Sequence, residues 1–145
     1  MIALHPYDQH WPLQFLAEKE KLQPILGNEA RIEHIGSTAI PGLHAKPVID
    51  ILMGVPDLNY INEEVIRQLS ELHYSYQPQF EVDLPFRRFF LKDNEEGHRA
   101  FHLHIVHYPS SWWARHMLFR DYLRRYPNQA KRYEMHKLAL AQKFD

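Results

Sequence analysis

No cysteine occurs among the 145 residues of this chain. That excludes disulfides, thiolate metal sites and cysteine nucleophiles. Surplus charge is also missing: 17 lysines and arginines stand against 18 aspartates and glutamates, for a formal net charge of -1. Nothing global therefore favours a nucleic-acid partner, and only a local basic patch could serve one. No apolar run is long enough to span a bilayer, and the opening Met1-Ile2-Ala3-Leu4-His5-Pro6 does not read as a signal peptide. A cytoplasmic protein without a membrane partner is the expectation. Internal repeats, low-complexity tracts and Gly/Ser linkers are absent too. What is present is 45% hydrophobic residues and 13% aromatics, enough for a real core in one domain spanning 1–145. Eleven histidines are unusual for this length, and histidine both binds metals and titrates near neutral pH.

The apolar spacing predicts a helix capped by Asp8, with Pro12 in its first turn, through about residue 26, where Gly27-Asn28 stops it. Ala30 to Ile35 reads as a short strand and Pro47 to Val55 as a buried one. Asp57 or Asn59 is expected to cap a helix that turns Ile61, Val65, Leu69 and Leu72 inward. Phe86–Lys92 and Arg99–His107 read as hairpin arms around Asp93-Asn94-Glu95-Glu96-Gly97. Two helices follow, one started by Ser110 or Ser111 and one by Pro127. This order favours an α/β protein of the α+β type, a mixed sheet with helices packed on it.

The chemistry concentrates between His34 and Val55. Gly36 permits backbone conformations closed to other residues, Ser37 and Thr38 add hydroxyls, and successive amides in such a turn can hold an anion. Lys46 could neutralise a phosphate; the plainer alternative is a strand connection turned by Pro41-Gly42. Asp50 interrupts an apolar strand, where an ionised carboxylate costs several kcal/mol unless paired, hydrogen-bonded or metal-bound. Strand alternation places Val48, Asp50 and Leu52 on one face and Ile49, Ile51 and Met53 on the other. In Ala100–Val106 the same alternation sets His102 and His104 opposite Phe101, Leu103 and Ile105. If that strand lies beside the Asp50 strand, two imidazoles and a carboxylate could share one metal. Otherwise they form a polar, hydrogen-bonded sheet face, with His98, His107 and the scattered histidines on the surface. One of Arg87 and Arg88 must share the histidine face, where its guanidinium suits a phosphate or carboxylate.

Most of Trp112, Trp113, Phe119, Tyr122 and Tyr126 can share one helical flank, for which core packing is expected. Arg115, Arg120, Arg124, Arg125, Lys131 and Arg132 make this end basic, as a solvated face or, less readily, a contact for phosphate or RNA.

Five segments together resemble the GrpB family. They are Tyr7-Asp8 through Trp11-Pro12 and Phe15, the whole His34–Val55 stretch, Arg87-Arg88-Phe89-Phe90, His102-Leu103-His104, and Phe119-Arg120-Asp121-Tyr122-Leu123. The ordered series Gly36-Ser37-Thr38, Pro41-Gly42-Leu43, Ala45-Lys46-Pro47, Asp50 is the most specific part. The resemblance implies a nucleotidyltransferase-like fold with a C-terminal helical pair, and a site on the Gly-Ser turn and the following acidic strand. It implies transfer of a nucleotidyl group from a nucleotide; the alternative, supported by the departure at Leu52, is a module that keeps the fold and binds a nucleotide or phosphorylated metabolite without catalysis. In the transfer reading Gly36, Ser37 and Thr38 hold phosphate, Lys46 and one of Arg87 and Arg88 neutralise its charge, and Asp50 with His102 and His104 binds one divalent metal or positions an attacking hydroxyl. One departure bears on mechanism. The wider superfamily pairs two acidic residues with one residue between them, and here the second position is Leu52. One aspartate and two imidazoles suit zinc, manganese, iron or nickel better than a pair of magnesium ions.

Overall fold

A computed structural model describes residues 4–144, with the side chains of 141–144 left aside. Its centre is a five-stranded mixed sheet in the order β1-β2-β5-β4-β3. The strands are β1 (Arg31–Ile35), β2 (Ile49–Val55), β3 (Ser75–Tyr76), β4 (Arg87–Asp93) and β5 (Arg99–His107). All neighbours are antiparallel except β2 and β5, which run parallel with Asp50 opposite His102 and Leu52 opposite His104. Four helices accompany it: α1 (His10–Leu26), α2 (Glu63–Glu71), α3 (Ser111–Arg125) and α4 (Pro127–Phe144).

Alternation along the strands gives the sheet two unlike faces. Ile49, Ile51, Met53 and Val55 of β2 point to one face with Leu103 and Ile105 of β5 and Phe90 of β4. Trp11, Phe15 and Leu22 of α1 and Val65 and Leu69 of α2 close this main core. Burying a side chain of this size stabilises the fold by roughly 1.5–3 kcal/mol. Glu18 of α1, also buried, is met by the Lys92 ammonium and by the Tyr74 hydroxyl at 3.0 Å, which ties α1 to the far side of the sheet. The opposite face carries Asp50, His102 and His104, with a smaller apolar cluster of Ile35, Leu52, Val106 and Trp113 beside them. Gly54 belongs to that face because a Cβ there would lie 2.7 Å from Tyr108 and 2.9 Å from the Trp113 ring.

Several local expectations are corrected. Asp8 accepts a hydrogen bond from the His10 amide at 2.8 Å, but the residue preceding α1 is Gln9. Asn62, whose side chain accepts from the Val65 amide at 3.0 Å, caps α2; Asp57 caps only a short 3-10 turn, Leu58–Tyr60. The aromatic flank of α3 is only partly core: Trp113 is buried, while Phe119, Tyr122 and Tyr126 are each more than two-fifths exposed. The helix pair packs on the Gly36–Ala45 connection through Leu123, Ala130 and Tyr133 and leaves its outer flank free. Ser110 does cap α3, accepting from the Trp113 amide at 3.2 Å.

His34 is the clearest departure from a surface histidine. It is 4% exposed, stacks on Phe15 with ring centroids 5.0 Å apart, and lies 2.8 Å from the Thr38 hydroxyl through Nε2. Burial, reinforced by the Arg124 and Arg120 charges against a smaller pull from Asp50, holds its pKa near 4, below the ordinary 6.5. The unfolded chain then takes up a proton near pH 6.5 that the folded chain refuses until about pH 4. This contribution to stability is complete above pH 6.5 and fades as the pH falls toward 4. Urea unfolding at pH 7 and pH 4.5 should show the wild type losing roughly 2–3 kcal/mol more than His34→Gln on acidification. Equal losses would exclude His34 as the source.

Candidate active site

Asp50 is the hub. Its Oδ1 lies 3.1 Å from Nε2 of His104 and 3.3 Å from Nδ1 of His102. The parallel register between β2 and β5 creates this meeting, because it sets residues 50 and 102 side by side and puts residue 104 on the same face. Burial raises the Asp50 pKa, but the hydrogen bonds from His102 and His104 lead the effects that outweigh it and hold the carboxyl near 2. Asp50 is therefore ionised at neutral pH.

On its other side Asp50 meets the Gly-Ser turn. Gly36 has φ +79°, and a Cβ there would lie 2.6 Å from Asp50 Oδ2. Both the left-handed backbone and the missing side chain are thus required at this position. Ser37–Ala39 then forms a short 3-10 turn. The Ser37 hydroxyl accepts from the Lys137 ammonium of α4 at 3.1 Å. Arg124 donates from Nε to the Ala39 carbonyl at 2.9 Å, and Arg120 reaches Glu33 at 3.2 Å and the His34 carbonyl at 3.3 Å. Arginines of α3 thereby clamp the turn and β1.

Between the sheet and the helix pair lies a cavity of about 290 Å³. Gly36, Ser37, Asp50 and His104 form its polar side; Ile40, Leu43, Trp112, Phe119, Leu123 and Tyr133 supply apolar wall. His116 of α3 also lines it, its ring 4.0 Å from that of Trp112, and its pKa falls below the ordinary value through burial and the nearby His104.

Of the phosphate candidates, the structure brings Gly36 and Ser37 to the cavity and Arg87 to the histidine face, with Nη1 3.1 Å from His104 Nδ1. The others go elsewhere. The Thr38 hydroxyl is turned inward to His34, and Thr38 is 2% exposed. Lys46 is exposed and does not line the cavity. Arg88 points to the opposite sheet face, where it donates to the Pro85 carbonyl at 3.0 Å and lies 3.6 Å from Glu81. A one-residue step along β4 exchanges faces, which separates the two arginines completely. Sequence reasoning did not single out His116 or Lys137 for the site, and read Arg120 and Arg124 chiefly as a solvated basic face. Their long-range approach to the turn has no local signal, although Arg120 lies within a segment that carries the family likeness.

Asp50, His102 and His104 each offer one ligand atom, all within 4.8 Å of one another. Ligands held at about 2.0–2.2 Å from one ion fall inside that spread. The donor set, one carboxylate and two imidazoles, fits a borderline divalent ion. Leu52, where a second carboxylate would stand, is fully buried beside Ile35, Val106 and Trp113.

A mixed sheet with a helix-covered core on one face, and an Asp-His-His cluster beside a Gly-Ser turn on the other, defines an α+β protein with a preformed polar site. The chain belongs to the GrpB family: the family described as GrpB protein matches residues 1–145. It is 36% identical over 146 residues to the glutamate-rich protein GrpB of Alkalihalophilus pseudofirmus, spanning 99% of this chain and 83% of that protein. A UPF0157 protein of Pseudomonas aeruginosa is 39% identical over 148 residues, and there the match spans 99% of this chain but 58% of the relative. The fold is similar to the crystal structure of conserved protein GrpB from Enterococcus faecalis, with a TM-score of 0.80 at 34% identity, covering 97% of this chain and 84% of that one. Among the described residues no helix is long and apolar enough to cross a membrane.

The contact between Gly36 and Asp50 can be tested directly. Gly36→Ala should cost roughly 1–3 kcal/mol in urea unfolding. The cost should shrink in an Asp50→Ala background, where the 2.6 Å contact with Oδ2 is gone and the backbone penalty remains with a 3.2 Å contact to the Cβ of residue 50. An undiminished cost would show that the carboxylate does not press on the turn.

Proposed function

We propose that this GrpB family member is a nucleotidyltransferase, passing a nucleotidyl group to an acceptor hydroxyl with the help of one divalent metal. The observation that carries the proposal is the convergence of Asp50, His102 and His104 directly against the Gly36-Ser37 turn, at the polar side of a cavity. Asp50, His102 and His104 would hold the metal, whose charge would stabilise a reacting phosphate. Ser37, with Lys137 bonded to its hydroxyl, offers a donor and a cation to a phosphate oxygen. Ionised Asp50 and its imidazoles can orient the acceptor hydroxyl, so rate enhancement would come from positioning and charge. The 290 Å³ cavity, with its aromatic wall, has room for an organic part of the substrate beside the charged site.

A second reading has its own support. Leu52 occupies the second acidic position that the resemblance leads one to expect, and it is sealed in an apolar cluster. A module that binds a nucleotide or phosphorylated metabolite without turnover accounts for that. Purified protein incubated with each NTP and a divalent metal separates the two. Pyrophosphate release that Asp50→Asn abolishes, in a variant with unchanged circular dichroism, is the expected result. Nucleotide binding without release would favour the binding module, and release unaffected by Asp50→Asn would place the chemistry elsewhere.

A further inference from the structure

Arg87 is a guanidinium in an unusual setting. Its Nη1 stands 3.1 Å from Nδ1 of His104, and its Cζ lies over the Phe89 ring at 4.5 Å from the centroid. Its Nε is buried without a hydrogen-bond partner, and no carboxylate pairs with it among the described residues. A guanidinium is a donor only and keeps its charge in proteins. Its bond to His104 therefore has one direction: Arg87 donates and Nδ1 accepts. The ring proton of neutral His104 then sits on Nε2, which donates to Asp50 Oδ1 at 3.1 Å.

A ring nitrogen that carries a proton does not ligate a metal. A metal-bound histidine ordinarily donates its remaining N–H to an acceptor, and here the neighbour is a donor. For Nε2 to share an ion with Asp50, the proton must move to Nδ1. Two N–H groups would then face each other at the His104–Arg87 contact, and the guanidinium would have to swing away. It would leave as a cation that has lost its main polar partner, and an oxyanion is the natural replacement.

We infer that Arg87 couples two binding events, resting on the metal reading above: it holds His104 in the metal-refusing tautomer until an oxyanion of the phosphate class draws the guanidinium away. Metal and oxyanion then bind with positive linkage, each raising the other's affinity by the same factor. Arg87 is in this sense a positioning residue, acting on the metal through His104.

Titration with Mn²⁺, with and without inorganic phosphate and corrected for metal complexed by phosphate, tests this by calorimetry. Arg87→Gln removes the obligatory donor and supplies a carbonyl that can accept from Nδ1–H. It should bind Mn²⁺ about tenfold more tightly than wild type without phosphate. Phosphate should strengthen wild-type binding and leave Arg87→Gln unchanged. Arg87→Met, which removes the donor without adding an acceptor, should fall between them. Equal Mn²⁺ affinity in wild type and both variants, or an equal phosphate effect, would overturn the coupling while leaving the metal site intact. No Mn²⁺ binding by any of the three would overturn the metal reading and the coupling together. The metal-free wild type gives an independent check, free of any folding defect in the variants. Nitrogen-15 imidazole shifts should report the Nε2–H tautomer at His104, and an Nδ1–H tautomer would overturn the inference.

Discussion

An ionised carboxylate set into the interior strand of a sheet is the constraint around which the rest of this structure is arranged. Asp50 stands in β2 with a strand on either side. Left alone there, its charge would cost several kcal/mol or be lost to protonation. The strand on one side offsets that cost and the chain beyond the other packs close against the carboxylate. β5 brings two imidazoles to one carboxylate oxygen, and the chain leaving β1 brings a glycine against the other, because any side chain would collide. The parallel pairing of β2 and β5 matters here. The chain between them runs through α2, β3 and β4. The imidazole partners of Asp50 therefore come from a strand some fifty residues away, and they meet it only when β2 and β5 pair.

The two faces of the sheet divide the labour. On one, α1 and α2 close an apolar core whose buried polar groups, Glu18 and His34, each find a partner within the core or next to it. On the other, α3 covers Leu52 and Val106 through Trp113, and the helix pair then stands over the Gly36–Ala45 connection. The cavity is the space left between these two contacts. Arg120 and Arg124 tie its two sides together, bonding the Glu33 side chain and the His34 and Ala39 carbonyls. A second tie comes from buried Glu134 of α4, which accepts from the His44 amide and faces the His44 ring at 2.9 Å. Charges that would be idle on a solvated helix fix the mouth of the site.

What the sequence disclosed follows from which forces are local. Alternation in β2 and β5 predicts the faces of Asp50, His102 and His104 correctly, because a strand has a period of two wherever it sits. Most helix and strand positions follow from capping and apolar spacing in the same way, to within a residue or two at the ends. β3 was not legible: two residues, Ser75 and Tyr76, carry no periodicity, and only pairing with β4 makes them a strand. Arg87 and Arg88 could not be separated because the hairpin's register decides which one shares the histidine face, and register is a tertiary outcome. Thr38 was misleading for a related reason. Its hydroxyl suits a phosphate by type, but a buried histidine four residues earlier takes it first. Lys46 is near the turn in sequence and outside the cavity in space.

The site also shows why an inventory of residue types underdetermines chemistry. Asp, His and His at bonding distance of one another describe a metal centre and a hydrogen-bonded carboxylate equally well. The difference lies in where the imidazole protons reside, and that is decided one residue further out. At His102 the ring is oriented by Asp50 through Nδ1, while His104 is engaged on both nitrogens, by Asp50 and by Arg87. The two histidines are thus inequivalent despite their adjacent positions on one strand face. Had β4 presented a carboxylate at position 87, the same three residues would favour a metal outright, with His104 donating outward as ligating histidines ordinarily do. With a guanidinium there, the cluster favours the ionised carboxylate and a cation still short of an anionic partner. The strand beside the histidines, more than the histidines themselves, sets where the imidazole protons reside.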